Sequence, residues 1–386
     1  MKKVLPIYVM MLAGAVSAGA QTAAEQTGSG ETDGYVLVWQ ELFDGESLNP
    51  LRWDIEVNGD GGGNHELQYY TDRPENVRLG DDGRGNKCLI LTARREQYMG
   101  RNFTSGRVNS KNRIAFTHGK MEASIMLPST ANGLWPAFWM MGNDYDNVGW
   151  PKCGETDILE MGNSEGIKNG TQDRFFNGAC HWGQGWPAAS YAKSTTKAYS
   201  LQDGEYHLFT VVWDENSIAM YVDLDKMPRQ NPYYKIDCPC DDPGNEWSAG
   251  NYFHKDNFIL FNLAVGGDFT GIHDAAQITA LNDDNGQEAS MYVNYVRIYQ
   301  KGLTNEHLDA ADPGDMSGIN DVLLTDEAAI RYDGRSIVSD TLDMRLYSIS
   351  GACVASTRNG NISTDGLAAG VYLAKNDLTT KKIVVE

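Results

Sequence analysis

The sequence has little positive charge and no basic run. It contains 32 Lys and Arg residues against 52 Asp and Glu residues, a formal net charge of −20. Nucleic acids and anionic membranes are recognised by clustered Lys and Arg. The composition therefore argues against nucleic acid or an anionic membrane as partner, and it suits an uncharged polymer better than a sulfated one.

The sequence also lacks an apolar run of the length that predicts a membrane span. Its N-terminal apolar stretch, residues 4–16, is shorter than the ~20 residues that a spanning helix needs. Two lysines precede this stretch and small residues follow it up to Ala20, which is the order of a secretory signal peptide. We therefore expect a signal peptide over 1–20, cleaved near Ala20, a disordered leader over 21–34, and an exported protein.

Cysteine is scarce, with six residues in the chain. Their spacing does not form a disulfide framework, and pairing cannot be deduced from sequence. Cys238-Pro239-Cys240 resembles half of a zinc site, but no second ligand pair follows at the usual spacing. We expect a loop disulfide or free thiols there.

No long apolar stripe of helical period appears between residues 35 and 301. Short runs rich in β-branched and aromatic residues, bounded by Gly, Asn, Asp or Pro, predict strands instead. These runs are Tyr35–Trp39, Cys88–Ala93, Lys120–Leu127, Phe209–Trp213, Ile218–Asp223, Phe258–Ala264 and Met291–Tyr299. Residues 214–217 separate two of them and predict a hairpin turn. The expected fold of 35–301 is an all-β antiparallel sandwich.

Three carboxylates lie close together within residues 154–163. In a strand, Glu155 and Asp157 share a face, whereas Glu160 points to the opposite face. A one-residue bulge in Ile158–Leu159 would bring Glu160 to the same face, and bulges often lie beside active sites. The two glutamate carboxyls could then approach to ~5–5.5 Å, the separation found in retaining glycosidases. The alternative is an acidic edge strand with solvated charges.

Further motifs lie on both sides of this stretch, in the same order as in one known protein family. They are Glu66–Asn76, Thr104–Val108, Gly133–Met141, Gly149–Pro151, His181–Gly183, Asn262–Gly267 and Tyr295–Tyr299. Together with Glu155–Glu160 they resemble glycoside hydrolase family 16 in its laminarinase-type, bulged form, across roughly residues 36–301. The resemblance implies a β-jelly roll with a concave substrate cleft, framed by loops at 58–64 and 229–251.

The resemblance also implies an activity, that of a retaining endo-glucanase on β-1,3-glucan such as laminarin or on mixed-linkage β-1,3-1,4-glucan. Glu155 would be the nucleophile, Glu160 the acid/base and Asp157 the residue that orients the nucleophile. One alternative is a galactanase of the same fold, of agarase or porphyranase type. Another is a non-catalytic glucan-binding protein, but such a protein would be expected to lack one of the carboxylates.

Five further residues match positions that contact sugar in the family. Trp135 and Trp139 are four residues apart and would share one face of a strand, where they are either cleft walls or core. His181 matches a histidine on the leaving-group side, and its alternative is a core histidine. Asn64 and Arg73 match positions that bind sugar on the non-reducing side. The alternative for Arg73 is a surface ion pair of little energetic value.

A structural calcium ion often accompanies this fold, although the chemistry requires no cofactor. The resemblance implies Glu41, the carbonyl of Gly83 and Asn294 as ligands, with Asn294 standing where the family has Asp. Calcium accepts carbonyl and carboxylate oxygens, so the exchange would weaken the site without removing a ligand. The sequence alone does not decide whether the protein binds calcium.

The C-terminal part predicts a separate small unit. Residues 302–320 are acidic and contain glycine, which favours a linker, and 321–386 contain short strand runs. Residues 366–372 and 382–385 resemble the sorting domains of proteins exported by Bacteroidetes, and the alternative is an accessory or carbohydrate-binding domain. We therefore expect a monomeric enzyme, secreted or held at the surface of a bacterium.

Overall fold

The structure is a computed structural model. It describes residues 34–239, 244–315, 330–332, 335–339, 343–348, 353–376 and 380–385. The predicted signal peptide, the leader up to residue 33 and Cys240 lie outside these residues. Within them, no helix has both the length and the apolar character needed to cross a bilayer.

Strands dominate the chain up to residue 310, as the short β-branched runs predict. In chain order they are β1 (Val36–Glu41), β2 (Asp54–Ile55), β3 (Gln68–Tyr70), β4 (Val77–Asp81), β5 (Lys87–Tyr98), β6 (Arg101–Ser105), β7 (Arg107–Asn109), β8 (Ile114–Thr117), β9 (Gly119–Met126), β10 (Leu134–Gly142), β11 (Glu155–Met161), β12 (Phe175–Trp182), β13 (Ala189–Thr196), β14 (His207–Trp213), β15 (Ser217–Val222), β16 (Tyr234–Asp237), β17 (Asn257–Val265), β18 (Glu288–Gln300) and β19 (His307–Ala310). The helices are short: α1 (Tyr145–Val148), α2 (Ser164–Asn169) and the 3₁₀ turns Ala249–Asn251, Ala275–Gln277 and Asp283–Asn285.

The strands form two large sheets. The first has ten strands in the order β16-β15-β14-β9-β18-β5-β6-β3, with β1 beside β18 and β4 beside β5. The second has nine strands in the order β13-β12-β11-β10-β17-β7-β2, with β8 beside β17 and β19 beside β8. All pairs are antiparallel except β3 with β6. The predicted antiparallel sandwich is confirmed, and so is the hairpin of β14 and β15, whose turn is closed by a bond from Asp214 N to Ser217 O.

The core is a single apolar cluster to which both sheets contribute. Strand β10 shows how a strand divides its side chains between the two faces. Its residues Leu134, Phe138 and Met140 belong to this core. Ala137, Trp139 and Met141 alternate with them and belong to a separate small cluster on the other side of the second sheet. That other side, named here the site face, carries the candidate functional residues.

The predicted linker at 302–320 is wrong in its first part. Strand β19 (His307–Ala310) pairs with β8 and extends the second sheet. After it, Asp312 and Asp315 bind Arg52, at 2.7 and 2.8 Å. The acidic side chains that suggested a solvated linker are therefore partners of a buried arginine distant in sequence, and the catalytic unit extends at least to residue 315.

The C-terminal unit has its own strands and its own apolar cluster. The strands are β20 (Ile330–Tyr332), β21 (Ser336–Ser339), β22 (Met344–Ser348), β23 (Cys353–Thr357), β24 (Asn361–Ser363), β25 (Gly370–Asn376) and β26 (Thr380–Val385), in a three-stranded and a four-stranded sheet. Ile337, Met344 and Leu346 are among the residues of the cluster. These strands agree with the predicted small β unit, and its sorting role stays a prediction.

Candidate active site

The predicted bulge in the carboxylate strand is confirmed. On β10, Phe138 pairs with Leu159 and the next residue, Trp139, pairs with Asp157, so the register skips Ile158. The same irregularity separates Asp157 from Glu160 along β12. The three carboxylates therefore lie opposite alternate residues of β10: Met141, Trp139 and Ala137. Since these alternate residues share the site face, Glu155, Asp157 and Glu160 share it too.

Strand β12 adds a histidine to this cluster. His181 pairs with Glu155 across the strands. Its Nε2 lies 3.4 Å from an oxygen of Asp157 and 4.0 Å from an oxygen of Glu155. One oxygen of each of these two carboxylates and a ring nitrogen of His181 all lie within 4.8 Å of one another. The structure thus brings His181 into the cluster beside Asp157 and Glu155, and its role on the leaving-group side stays a prediction.

Burial gives the carboxylates unusual proton affinities. It raises the pKa of Glu155 to about 8, with the charge of Asp157 adding to the effect, while His181 and Arg107 oppose it. Burial likewise raises the pKa of Asp157 to about 8. The pKa of Glu160 is raised well above its ordinary value by burial and then by the charges of Asp157 and Glu155. Three carboxylates this close cannot all be charged near neutral pH, so the cluster retains protons.

The two tryptophans of β10 stand beside the carboxylates, and each has a polar edge in the site. Trp135 Nε1 donates to Glu160 Oε1 at 3.2 Å, and its ring stacks on Phe269 with centroids 4.6 Å apart. Trp139 Nε1 donates to Asn262 Oδ1 at 2.8 Å. Both are only 9% exposed. The prediction that they share a face is confirmed, and they combine a packed ring with an edge that faces the site.

Sequence reasoning missed a polar network behind Trp139. The Arg107 guanidinium lies 4.9 Å from the centre of the Trp139 ring. Asn262 also donates to the Tyr70 hydroxyl at 3.3 Å, and that hydroxyl donates to a buried carboxylate oxygen of Glu66 at 3.1 Å. All of these residues lie inside the motifs that carry the family resemblance, but motifs so far apart in the chain do not reveal which side chains meet.

Sequence reasoning also missed a group of exposed aromatic residues. Of the nine tryptophans in the chain, Trp150, Trp186 and Trp247 are the exposed ones, at 39%, 84% and 43%. The Trp150 side chain lies close enough to Glu155 to favour the charged form of that carboxyl and lower its pKa, and its ring centroid lies 6.0 Å from that of Trp186. Trp247 adjoins the start of the Trp186 loop, since a Cβ on Gly183 would come within 2.9 Å of its ring. An aromatic surface therefore leads from Glu155 to solvent.

Asn64 and Arg73 occupy loops and have local partners. Asn64 Nδ2 donates to Gly62 O at 3.3 Å. The Arg73 guanidinium pairs with Glu96 and lies 4.5 Å from the centre of the Tyr98 ring. Among the described residues, no hydrogen bond or ion pair joins either side chain to the three carboxylates. Their role in sugar binding stays a prediction.

The residues predicted to bind calcium do not fit that ion. Both carboxylate oxygens of Glu41 accept from N–H donors, and one of these donors is Arg52 Nη1 at 3.1 Å. Asn294 uses its amide N–H₂ to bind Lys87 O at 2.8 Å, and Gly83 lies in a turn closed by Asp81. A cation beside Glu41 would face a guanidinium, so we assign no role to calcium.

Comparisons with known proteins agree on one family. The profile of Glycosyl hydrolases family 16 matches residues 65–235. A β-glucanase of Rhodothermus marinus is 32% identical over 273 residues, which are 68% of this chain and 85% of that protein. A GH16 protein of the Bacteroides ovatus mixed linkage glucan PUL, solved with a G4G4G3G product, is 39% identical with a TM-score of 0.58 and covers 68% of this chain and 100% of its own. The catalytic domain of an endo-1,3-β-glucanase (laminarinase) from Thermotoga petrophila is 30% identical with a TM-score of 0.53 and covers 69% of this chain and 98% of its own.

Proposed function

Because the chain belongs to glycosyl hydrolases family 16, we propose that it is a retaining endo-glucanase. It is a glycoside hydrolase of β-glucans, and its substrate is β-1,3-glucan or mixed-linkage β-1,3-1,4-glucan. The observation that carries this proposal is the bulged strand β11, which collects Glu155, Asp157 and Glu160 on one face.

The proposed reaction is a double displacement. Glu155 attacks the anomeric carbon while Glu160 gives its proton to the leaving glycosidic oxygen, and a glycosyl-enzyme ester forms. Glu160, now a carboxylate, then takes a proton from water, and the hydroxyl oxygen displaces Glu155 from the sugar. Two inversions at the same carbon leave the product with the configuration of the substrate.

The surroundings of each carboxylate support its role. The Glu155 side chain is 19% exposed, and His181, Arg107 and Trp150 favour its charged form, which a nucleophile requires. Glu160 keeps its proton, as a general acid must, because burial and neighbouring charge raise its pKa. Asp157 lies between them with a raised pKa, and a proton held on Asp157 would orient the Glu155 carboxylate.

Aromatic rings suit an uncharged polysaccharide, because the C–H faces of a sugar pack on indole. Trp135 and Trp139 line the site beside Glu160, and Trp150 with Trp186 extends it beyond Glu155. We also propose export, supported by the charge and apolar pattern of residues 1–20, and a monomeric enzyme.

The test measures reducing-sugar release from laminarin, barley β-glucan and agarose. We expect release from one or both glucans, and a loss of ~10²–10⁴-fold or more in Glu155→Gln and in Glu160→Gln. Glu165→Gln is the matched control, because that side chain is 58% exposed on α2 and should keep full activity. The melting temperature of each variant verifies folding.

Two outcomes would overturn the proposal. Release from agarose alone would assign a galactanase. Binding of laminarin without release of sugar from any of the three polymers would assign a non-catalytic glucan-binding protein.

A further inference from the structure

A second cluster of metal-ligand residues lies outside the catalytic carboxylates. His65 Nδ1 is 3.0 Å from Asp268 Oδ2, and His273 Nε2 is 2.7 Å from Asp268 Oδ1. One ligand atom from each of the three residues lies within 4.8 Å of the other two. Two of the seven histidines of the chain thus share one aspartate, although they are more than two hundred positions apart.

We propose that His65, Asp268 and His273 bind a zinc ion. Two imidazole nitrogens and one carboxylate oxygen are a zinc donor set, with bonds of ~2.0–2.2 Å. Ligand atoms around a tetrahedral ion at that bond length are ~3.3 Å apart. Asp268 Oδ1 lies 3.1 Å from His65 Nδ1 and 2.7 Å from His273 Nε2, and the two histidine nitrogens lie within 4.8 Å of each other. The side chains are 77%, 52% and 52% exposed, which leaves the fourth position to water.

The donor set also selects the kind of metal. Calcium and magnesium prefer sites made only of oxygen, whereas imidazole suits zinc and neighbouring transition metals. This site is therefore distinct in chemistry from the calcium site that the family resemblance implies at Glu41.

The backbone around the cluster holds its ligands in place. His65 has φ +56°, a region that residues other than glycine seldom adopt. Asp268 N donates to Asn64 O at 2.8 Å. Gly267 has φ +87°, and a Cβ there would lie 2.7 Å from the same Asn64 oxygen. The two loops are thus joined by backbone contacts next to the ligands, so ordering the site costs little conformational entropy.

The position of the cluster connects it with the site face. Phe269 follows Asp268 directly and stacks on Trp135, whose indole donates to Glu160. A bound zinc ion would therefore fix the loop that supports a wall of the active site. Only this effect on activity rests on the proposed function; zinc binding by the cluster does not.

The test has to separate this site from the active site, because Glu155, Asp157 and His181 also form a possible metal-binding set. We therefore take His181→Ala as the parent, in the full chain without a polyhistidine tag. Zinc chloride is titrated into it by calorimetry, and its melting temperature is followed with and without zinc. The parent should bind one zinc ion and melt at a higher temperature with zinc.

Adding His65→Ala or His273→Ala to the parent should weaken zinc binding at least tenfold, since even loss of an outer-shell partner costs ~10–100-fold in metal affinity. Asp268→Asn keeps the side-chain shape and should weaken binding as well. His307→Ala is the matched control, because His307 pairs with Asp256 at 2.8 Å but, within the described part of the chain, the pair has no third metal-ligating side chain beside it.

In the same calorimetric titration, calcium chloride should give no binding heat in the parent that disappears in the His65→Ala variant. If the parent binds no zinc, or if the His65, His273 and Asp268 variants bind it as tightly as the parent does, the proposal is wrong. Loss of binding in the His307 variant alone would place the zinc elsewhere and would equally overturn it.

Discussion

Two clusters of buried and half-buried carboxylates in this molecule differ in whether an arginine accompanies them. The first surrounds Arg52 and consists of Glu41, Asp312 and Asp315, at 3.1, 2.7 and 2.8 Å from the guanidinium. The second consists of Glu155, Asp157 and Glu160, whose only ion-pair contacts among the described residues are those with His181. Both clusters consist of Asp and Glu side chains, but only the first has an arginine that compensates their negative charge.

The proton affinities follow this difference at Asp312 but not at the buried Glu41, whose pKa is raised by burial although Arg52 lies beside it. In the first cluster, hydrogen bonds from the Gly314 N–H and from Arg52 hold the pKa of Asp312 below its ordinary value, although partial burial opposes them. In the second, burial dominates, and the pKa of Glu155 rises to about 8. A compensated cluster therefore joins distant parts of the chain, whereas an uncompensated one retains protons that catalysis can use.

The largest expected effect comes from removing part of the first cluster. Ending the chain after residue 315 should leave an active enzyme with an unchanged melting temperature for the catalytic unit. Ending it after residue 301 removes β19, Asp312 and Asp315, so the melting temperature should fall sharply. Differential scanning calorimetry of the two truncated chains checks this. Equal melting temperatures would restore the boundary at 301 that the sequence alone predicts.

A single substitution in the same cluster should have the next largest effect. Arg52→Met leaves Glu41 buried without its cation, and breaking a buried pair in this way costs ~3–5 kcal/mol of stability. Arg84→Met is the control, because its pair with Glu205 is exposed and is worth about 0–1 kcal/mol. Urea denaturation of both variants gives the free energies of unfolding. A similar loss in both would contradict a structural role for Arg52.

At the outer edge of the second cluster, Trp186→Ala should weaken catalysis without destabilising the fold. Its side chain is 84% exposed, so little packing is lost. Removing one stacking platform costs ~1–3 kcal/mol, by analogy with bases stacked on aromatic residues, which would lower kcat/KM on the glucan. Trp213→Ala, at a site 1% exposed, should instead lower the melting temperature. Unchanged kinetics for Trp186→Ala would remove it from the substrate path.

The smallest expected effect is the pH dependence of the melting temperature that the Glu155 carboxyl causes. Since the pKa of Glu155 is about 8 in the folded protein and ~4.3 in an unfolded chain, folding favours the protonated form. Its contribution to stability is present below pH ~4 and is lost as the pH rises toward 8. Glu155→Gln cannot ionise, so this inactive variant should melt above the wild type at pH 8. The difference should shrink toward pH 4, and Glu165→Gln should show none.

If the melting temperatures of Glu155→Gln and the wild type differed by the same amount at every pH in this range, Glu155 would not have the raised pKa that we assign to it. Thermal melts at several pH values are sufficient to decide.

The sequence predicted the features that depend on local pattern. Alternation with a period of two placed Glu155 and Asp157 on one face, and the position of Glu160 then required a bulge, which the register of β10 with β11 confirms. The same alternation placed Trp135 and Trp139 together.

Features that depend on contacts between distant segments could not be predicted in this way. The partners of Arg52 lie about 260 positions away, at Asp312 and Asp315. The acidic segment that contains these two residues has the composition of a linker, so the sequence alone predicts a linker there. His65 and Asp268 meet only because two loops cross beside β17. Periodicity predicts the direction of a side chain but not its partner on another strand.

The most direct test of the central claim is rescue by azide. We expect Glu155→Ala to regain glycosyl transfer when azide is added, giving the glycosyl azide with inverted anomeric configuration, because azide then replaces the nucleophile. Rescue of Glu160→Ala should give the azide with retained configuration, because Glu155 still forms the ester that azide opens. Proton NMR of the products identifies the anomers. The same anomer from both variants would contradict the assigned roles of Glu155 and Glu160.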